Sequence, residues 1–367
     1  MLNYDFIFIG GGASTINFFS VTANDQNIKT HPLFEKYNIA IIDNIKNNNF
    51  LFDYHIEANN PLKNFINNSK GKYKLSLPSF NKEDLKSYPI LDDVVSVFYS
   101  NWRNILKDQI KSSSGKWYFN KAISLNQNIN NSWDVHLDNH KILTTNKAII
   151  ATGANQNHIF SNKIRNLYKH KLIHSDDFQK KDFINLIKKT KRIGIVGASH
   201  SAMSTIKFIQ NINFQIEIIL YYRNTPNINS ISEFYKPIFL SIFDNNFNKS
   251  INNKKIKTVQ ITNINELESI IDNFNYFIEA TGYKQNLILI YDKYGNNVKC
   301  SQKPNCNGEI YYYPNQEKLL KLNNLYGMGL LRPSYGRNPE IQEVLKRIPE
   351  GVALSGEVDV IYNSLFN

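Results

Sequence analysis

The sequence predicts an α/β fold class of two three-layer modules, the second inserted into the first, and three observations carry that prediction. Two apolar strands, residues 4–9 and Arg192–Val196, each run into a glycine-containing turn and then into an apolar segment fit for a helix. Later in each unit an apolar strand ends on Ala-Thr-Gly, first at residues 151–153 and again at 280–282. The order of strand, turn, helix and exit is therefore the same twice, which is the layout of two Rossmann-like dinucleotide-binding domains.

The first unit opens with the β-branched and aromatic run at residues 4–9, stops at Gly10-Gly11-Gly12 and resumes as a helical segment from Ala13. In such a turn the first glycine permits a tight bend, and the second lets a pyrophosphate approach the backbone at the helix N-terminus. Gly10 and Gly12 fill those roles, with Ala13 and Ser14 opening the helix, while Thr15 stands where a third glycine is usual. A second strand, Ile39–Ile42, ends on Asp43, an acid placed to accept hydrogen bonds from a ribose hydroxyl. Asp43 follows Gly12 by 31 residues, against about 20 in the usual spacing, so residues 24–37 with Pro32 read as an insertion. A solvated acid at a strand end is the alternative for Asp43.

Residues 44–117 are irregular and rich in Asn, Lys and aromatics, with a helix expected near 91–106. They are read as a cap or substrate-side insertion. Alternating segments such as Trp133–Leu137 suggest a meander, and the buried strand at 147–150 leads into Thr152 and Gly153, both assigned to the first nucleotide.

The second unit turns at Gly197, with Ser199 and Ala202 at the second and third glycine positions. Small residues still admit a phosphate there, and the hydroxyls of Ser199 and Ser201 are placed to donate to it. His200 lies in the same turn and is counted with the nucleotide-binding residues, its alternative being a side chain facing solvent. The second strand, residues 215–222, ends at Arg223, where a cation accommodates a 2′-phosphate that an acid would repel. That favours NADPH over NADH. Thr281 and Gly282 of the second exit complete this site.

Composition limits the alternatives. Hydrophobic residues make up 42% and aromatics 13%, enough to build real cores in a chain of 367 residues. The net charge of +12 comes from lysines scattered among asparagines, with no stripe of interleaved aromatics, so a nucleic-acid partner is not expected. No apolar run reaches the length of about 18 residues that suggests a membrane span, and the N-terminal segment lacks the basic opening of a secretory leader. Two cysteines, Cys300 and Cys306, do not make a secreted disulfide framework, and a reducing, cytoplasmic setting is expected. They are read as free thiols in a polar loop, and no metal site is predicted.

These residues resemble the flavin-dependent oxidoreductases with two dinucleotide domains, and within them the single-component flavin monooxygenases that include N-hydroxylases and Baeyer–Villiger enzymes. The matching segments are Gly10 to Thr15, Ala151 to Gly153, Gly197 to Ala202 and Ala280 to Tyr283. The stretch from Tyr168 to Phe178 is similar to the monooxygenase linker at His174 and Phe178, with His170 at the glycine position. The resemblance implies FAD on residues 1–175 and 284–367 and NADPH on an inserted domain at 176–283. It makes His174 the candidate catalytic or packing histidine and leaves the backbone of Gly327 and Gly329 to contact the flavin, since the usual Gly-Asp is missing there. The implied activity is oxygenation of a small-molecule amine, sulfide or carbonyl compound with molecular oxygen. A reductase with another electron acceptor, and a nucleotide-binding protein without turnover, share the same residues.

Overall fold

The structure, a computed structural model, describes residues 2–22, 31–44, 91–224, 228, 231, 234–244, 255–286, 288–298, 300–301, 309–312, 320–328 and 365–366. Two sheets organise them. In the first, β1 (Leu2–Ile9) lies between β2 (Ile39–Ile42) and β6 (Ile142–Ile150), parallel to both, and β3 (Lys116–Tyr118) extends the sheet beyond β2. On the other side β6 pairs antiparallel with β5 (Trp133–Leu137), and β5 with β4 (Ala122–Gln127), the predicted meander. The carboxyl half of β6 also carries β17 (Leu320–Gly327), a late segment of the chain returned to the first sheet.

β1 is apolar on both faces because both faces are covered, as parallel strands require. Phe6 and Phe8 point into one core with α1 (Ala13–Thr22), while Ile7 and Ile9 point into another with Trp133 and Val135. Phe8 meets Phe18 and Phe19 at ring distances of 5.1 and 5.0 Å, all three fully buried. Each such side chain contributes about 1.5–3 kcal/mol by burial.

The short helix α2 (Pro32–Lys36) falls within the predicted insertion and begins at His31, which is 1% exposed. His31 Nδ1 accepts the Leu33 N–H at 3.1 Å, and Nε2 lies 3.1 Å from the Phe19 carbonyl and donates to it. Burial pushes its pKa down to about 4, with the Phe19 bond opposing. The unfolded chain therefore takes up this proton near pH 6.5 while the folded one does not until about pH 4, so stability is lost as pH falls through that window. Urea unfolding is expected to show wild type losing about 2.5 kcal/mol more than His31→Gln between pH 7 and 4.5. Equal losses would refute this role.

The helix expected near residue 100 is α3 (Leu91–Lys111). Within the stretch read as a cap or substrate-side insertion, Trp102, Leu106 and Ile110 join the core of Phe8, Phe18 and Phe19, and β3 follows in the first sheet. Residues 45–90 of the predicted insertion lie outside the described residues.

The second sheet is wholly parallel, ordered β11 (Ile256–Gln260), β10 (Glu217–Tyr222), β9 (Arg192–Val196), β12 (Tyr276–Glu279), β8 (Leu172–His174). Its strand β8 precedes residue 176, where the sequence places the start of the second module. Ile193, Ile195 and Leu220 pack on α4 (His200–Ile212) through Met203, Ile206 and Ile209, and Val196, Tyr221 and Phe277 fill the opposite face.

Two links join the modules. β7 (Ala154–Gln156) leaves the first exit, β13 (Tyr283–Gln285) leaves the second, and they pair antiparallel with Lys284 opposite Asn155. The chain then re-enters the first sheet through β14 (Leu289–Tyr291) on β4 and through β15 (Cys300–Ser301) and β16 (Glu309–Tyr312). Cys300 thus stands in a strand opposite Tyr312 and not in the predicted loop, while Cys306 lies outside the described residues. Among the described residues no helix is long and apolar enough to cross a membrane, and no group of three or more His, Cys, Asp or Glu residues could hold a metal ion.

Candidate functional site: two nucleotide turns

The first turn is built by a glycine under its neighbour's carbonyl. Gly10 has φ +111°, and a Cβ there would collide with the Ala151 carbonyl. The contact is fixed by the Ala151 N–H donating to Ile9 O and the Gly10 N–H donating to Ile42 O, both at 2.7 Å. A Cβ on Gly11 would sit 2.6 Å from both Asp43 Oδ2 and Trp117 Cζ2, whereas one on Gly12 would meet open space. Gly12 therefore leaves the N-terminus of α1 open to an anion, as a pyrophosphate site requires.

Thr15, in place of the third glycine, is fully buried and donates its hydroxyl to the Gly10 carbonyl at 2.5 Å, closing the turn from within. Ser14 is half-buried beside it, and Ala13 begins the helix.

Asp43 stands directly after β2, as predicted, but one of its oxygens is already engaged. Arg103 of α3 donates Nη2 to Asp43 Oδ2 at 2.6 Å, with exposures of 0% and 7%. The guanidinium lies 5.3 Å from the centre of the Trp117 ring, and Lys107 reaches the same ring at 5.6 Å. Burial pushes the Arg103 pKa down, and Asp43 opposes that shift. Asp43 is therefore a buried, charge-paired carboxylate. Arg103 was not legible in the sequence, because it lies 60 residues away on a helix read as part of a cap.

The second turn repeats the first. Gly197 has φ +118°, and its missing Cβ would collide with the Ala280 carbonyl. The Gly197 N–H donates to Tyr221 O and the Ala280 N–H to Val196 O, both at 2.9 Å. Ser199 is the N-cap of α4, exposed, and its side chain makes no capping bond. Ser201 is half-buried and Ala202 fully buried, the small third residue that lets the helix pack closely on β9.

His200 does not simply face solvent: its ring stands edge-on to Tyr235 at 4.7 Å, and burial lowers its pKa. Arg223 follows β10 as Asp43 follows β2, is exposed, and has its carbonyl held by Gln260 Nε2 at 2.9 Å.

The exits are tied across the links. Thr152 donates its hydroxyl to Asn286 O at 2.7 Å, and Thr281 donates its own to Asn157 O. Gly282 O accepts the Asn157 N–H at 2.9 Å, and Gly153 O accepts the Asn286 N–H at 3.2 Å. The hydroxyls of Thr152 and Thr281, residues assigned from sequence to the cofactors, thus hold the opposite link. Gly153 and Gly282 supply the left-handed bends, at φ +69° and +77°. Gly327 pairs with Ile150 beside the first exit, and Gly329 lies outside the described residues.

His174 ends β8, two strands from β9 and Gly197, roughly 10 Å at ordinary strand spacing. It is 3% exposed, and its Nδ1 accepts the Asp176 N–H at 3.3 Å. Its ring meets that of His158 at 5.5 Å. Burial is the main cause lowering its pKa, opposed by Asp176. Beside it lies Glu279, 1% exposed and without an assigned role in the sequence reading. Glu279 accepts His158 Nδ1–H and Ile159 N–H, each at 2.9 Å, and Phe160 N–H at 3.4 Å. The only sequence signal for it was its place before the second Ala-Thr-Gly.

No protein-family model matches the chain, and no curated protein matches it in sequence. Solved structures do resemble it. Bacillithiol disulfide reductase from Staphylococcus aureus aligns over 100% of this chain and 98% of its own, at TM-score 0.58 and 14% identity. L-lysine 6-monooxygenase from Pseudomonas syringae aligns over 99% of both chains at TM-score 0.54 and 12% identity. NADH:rubredoxin oxidoreductase from Clostridium acetobutylicum aligns at TM-score 0.50 and 16% identity, over 100% of this chain and 76% of its own. With a mixed first sheet built on parallel strands, a wholly parallel second sheet, two glycine turns and paired links, the chain has the two-dinucleotide-domain fold that these oxidoreductases share.

Proposed function

We propose that the chain is an FAD-dependent, NADPH-consuming oxidoreductase, and specifically a monooxygenase acting on a small-molecule amine, sulfide or carbonyl compound. One observation carries the cofactor reading: each module places a left-handed glycine under the carbonyl of its own exit, with Asp43 after one second strand and Arg223 after the other. The cradles fit the groups, since a Cβ at Gly12 would stand in open space at a helix N-terminus and the Ser199 side chain makes no capping bond at the other.

Gly12 and Ser14 would hold the FAD pyrophosphate and Asp43 its ribose, with the backbone of Gly153 and Gly327 beside them. Gly197, Ser199, Ser201 and Ala202 would hold the NADPH pyrophosphate, and Arg223 the 2′-phosphate. Bound FAD would supply a hydride acceptor for NADPH and pass the electrons on to molecular oxygen. The protein's part is to orient the two nucleotides and exclude water.

Two features support the oxygenase reading over thiol chemistry. No cysteine pair lies close behind either glycine turn, the two cysteines being at 300 and 306, and the likeness to the lysine monooxygenase extends over 99% of the chain. The equally complete likeness to a disulfide reductase supports a second reading, in which electrons pass to an acceptor other than oxygen.

The test is the visible spectrum of the FAD-reconstituted protein with NADPH, first without and then with oxygen. Bleaching by NADPH, followed in air by transfer of labelled oxygen into an amine or sulfide, is expected. Bleaching without label transfer supports the reductase, and failure to bind FAD refutes both.

Arg223→Ala separates the nicotinamides. A lost charge-assisted phosphate contact is expected to raise the KM for NADPH about tenfold or more while moving that for NADH less than about twofold. Equal effects on both would remove Arg223 from the 2′-phosphate role.

A further inference from the structure

The free edge of the second sheet carries a cavity of about 400 Å³ lined by β8, the end of β12 and the segment after the first link. That size suits a small ligand. Two carboxylates line it, and both are engaged. Glu279 is held by His158 and the two backbone N–H groups described above, with Arg165 Nε 4.0 Å away. Asp177 is held by Lys180 at 2.6 Å and by Gln156 at 3.3 Å.

The donors are in surplus. Lys169 and Arg165 line the cavity, Lys169 exposed and Arg165 37% exposed. His174 lines it too, and because Nδ1 accepts a backbone N–H, the neutral ring carries its proton on Nε2. That nitrogen is buried and finds no partner among the described residues. An unmet buried donor calls for an acceptor. Phe183, Leu186 and Tyr276 complete the wall with apolar surface.

We infer that this cavity is a binding site for an organic carboxylate with an apolar body, its oxygens taken by Arg165, Lys169 and His174 and its body lying against Phe183, Leu186 and Tyr276. It lies beside the second nucleotide turn, since Ala280, which seats Gly197, directly follows Glu279, yet none of residues 197–202 lines it. The residues proposed above for the two dinucleotides are likewise absent from its wall.

Benzoate is the probe, added to the full-length protein and followed through the imidazole NMR signals of His174 and His158. Saturable shifts with a dissociation constant on the order of 1 mM are expected, as for a ligand of this size. Benzyl alcohol, which lacks the charge, is expected to bind at least about tenfold more weakly, and Arg165→Gln to weaken benzoate about tenfold.

His174→Asn keeps an acceptor near the Nδ1 position for Asp176 and deletes Nε2, and should weaken benzoate by a similar factor. Should that variant fail to fold, Arg165→Gln on the half-exposed rim still decides. Absence of a saturable shift up to about 20 mM, some twentyfold above the expected constant, or equal binding by wild type and Arg165→Gln, overturns the assignment.

Discussion

Gly197→Ala is expected to give a protein that still takes up FAD but binds NADPH about a hundredfold more weakly, and Gly10→Ala one weakened to a similar extent toward FAD. At each position the backbone is left-handed, with φ of +118° and +111°, and a Cβ would strike the carbonyl of the exit strand beside it. Relief requires separating β9 from the end of β12, or β1 from the end of β6, and those exits carry the backbone N–H groups that fix each turn. Strain of about 3 kcal/mol at one such residue corresponds to roughly a hundredfold in nucleotide affinity. Titration of each variant with both nucleotides reads the result directly. If Gly197→Ala lost FAD while keeping NADPH, the order of the two cofactors would be reversed.

Arg103→Leu is expected to destabilise the first module by about 3–5 kcal/mol, the usual cost of leaving a buried charge without its partner. Asp43 would be stranded at 7% exposure beneath Gly11. The double variant Arg103→Leu, Asp43→Leu removes both charges and should recover much of the loss in urea unfolding, while FAD affinity is expected to stay low on the proposed reading of Asp43 as the ribose acceptor. Loss of less than about 1 kcal/mol in the single variant would mean that the pair behaves as an exposed one.

Much of the layout was legible because strand and helix periodicities are local. Residues 4–9, Ile39–Ile42, Arg192–Val196 and Trp133–Leu137 all lie in strands, and α3 runs a few residues beyond its expected end. The turns were legible because glycine is the residue that accepts a left-handed backbone under a neighbouring carbonyl. Thr15 was read as a weakened third glycine, yet its hydroxyl makes a bond within the turn that glycine could not make.

Local sequence is enough for the order of the units, the two bends, and the opposite characters of Asp43 and Arg223 at matching strand ends. Each depends on residues adjacent in the chain or on a strand period. The groups that meet across long separations are set by packing alone: Arg103 with Asp43, Thr152 and Thr281 with the opposite links, and Glu279 with His158. Such pairings leave no local signature, because a charged or hydroxyl side chain has the same spacing in the chain whether it faces solvent or finds a buried partner. Burial decides the difference, since a polar group taken out of water must be matched, and its match is set by the way the sheets fold back on one another.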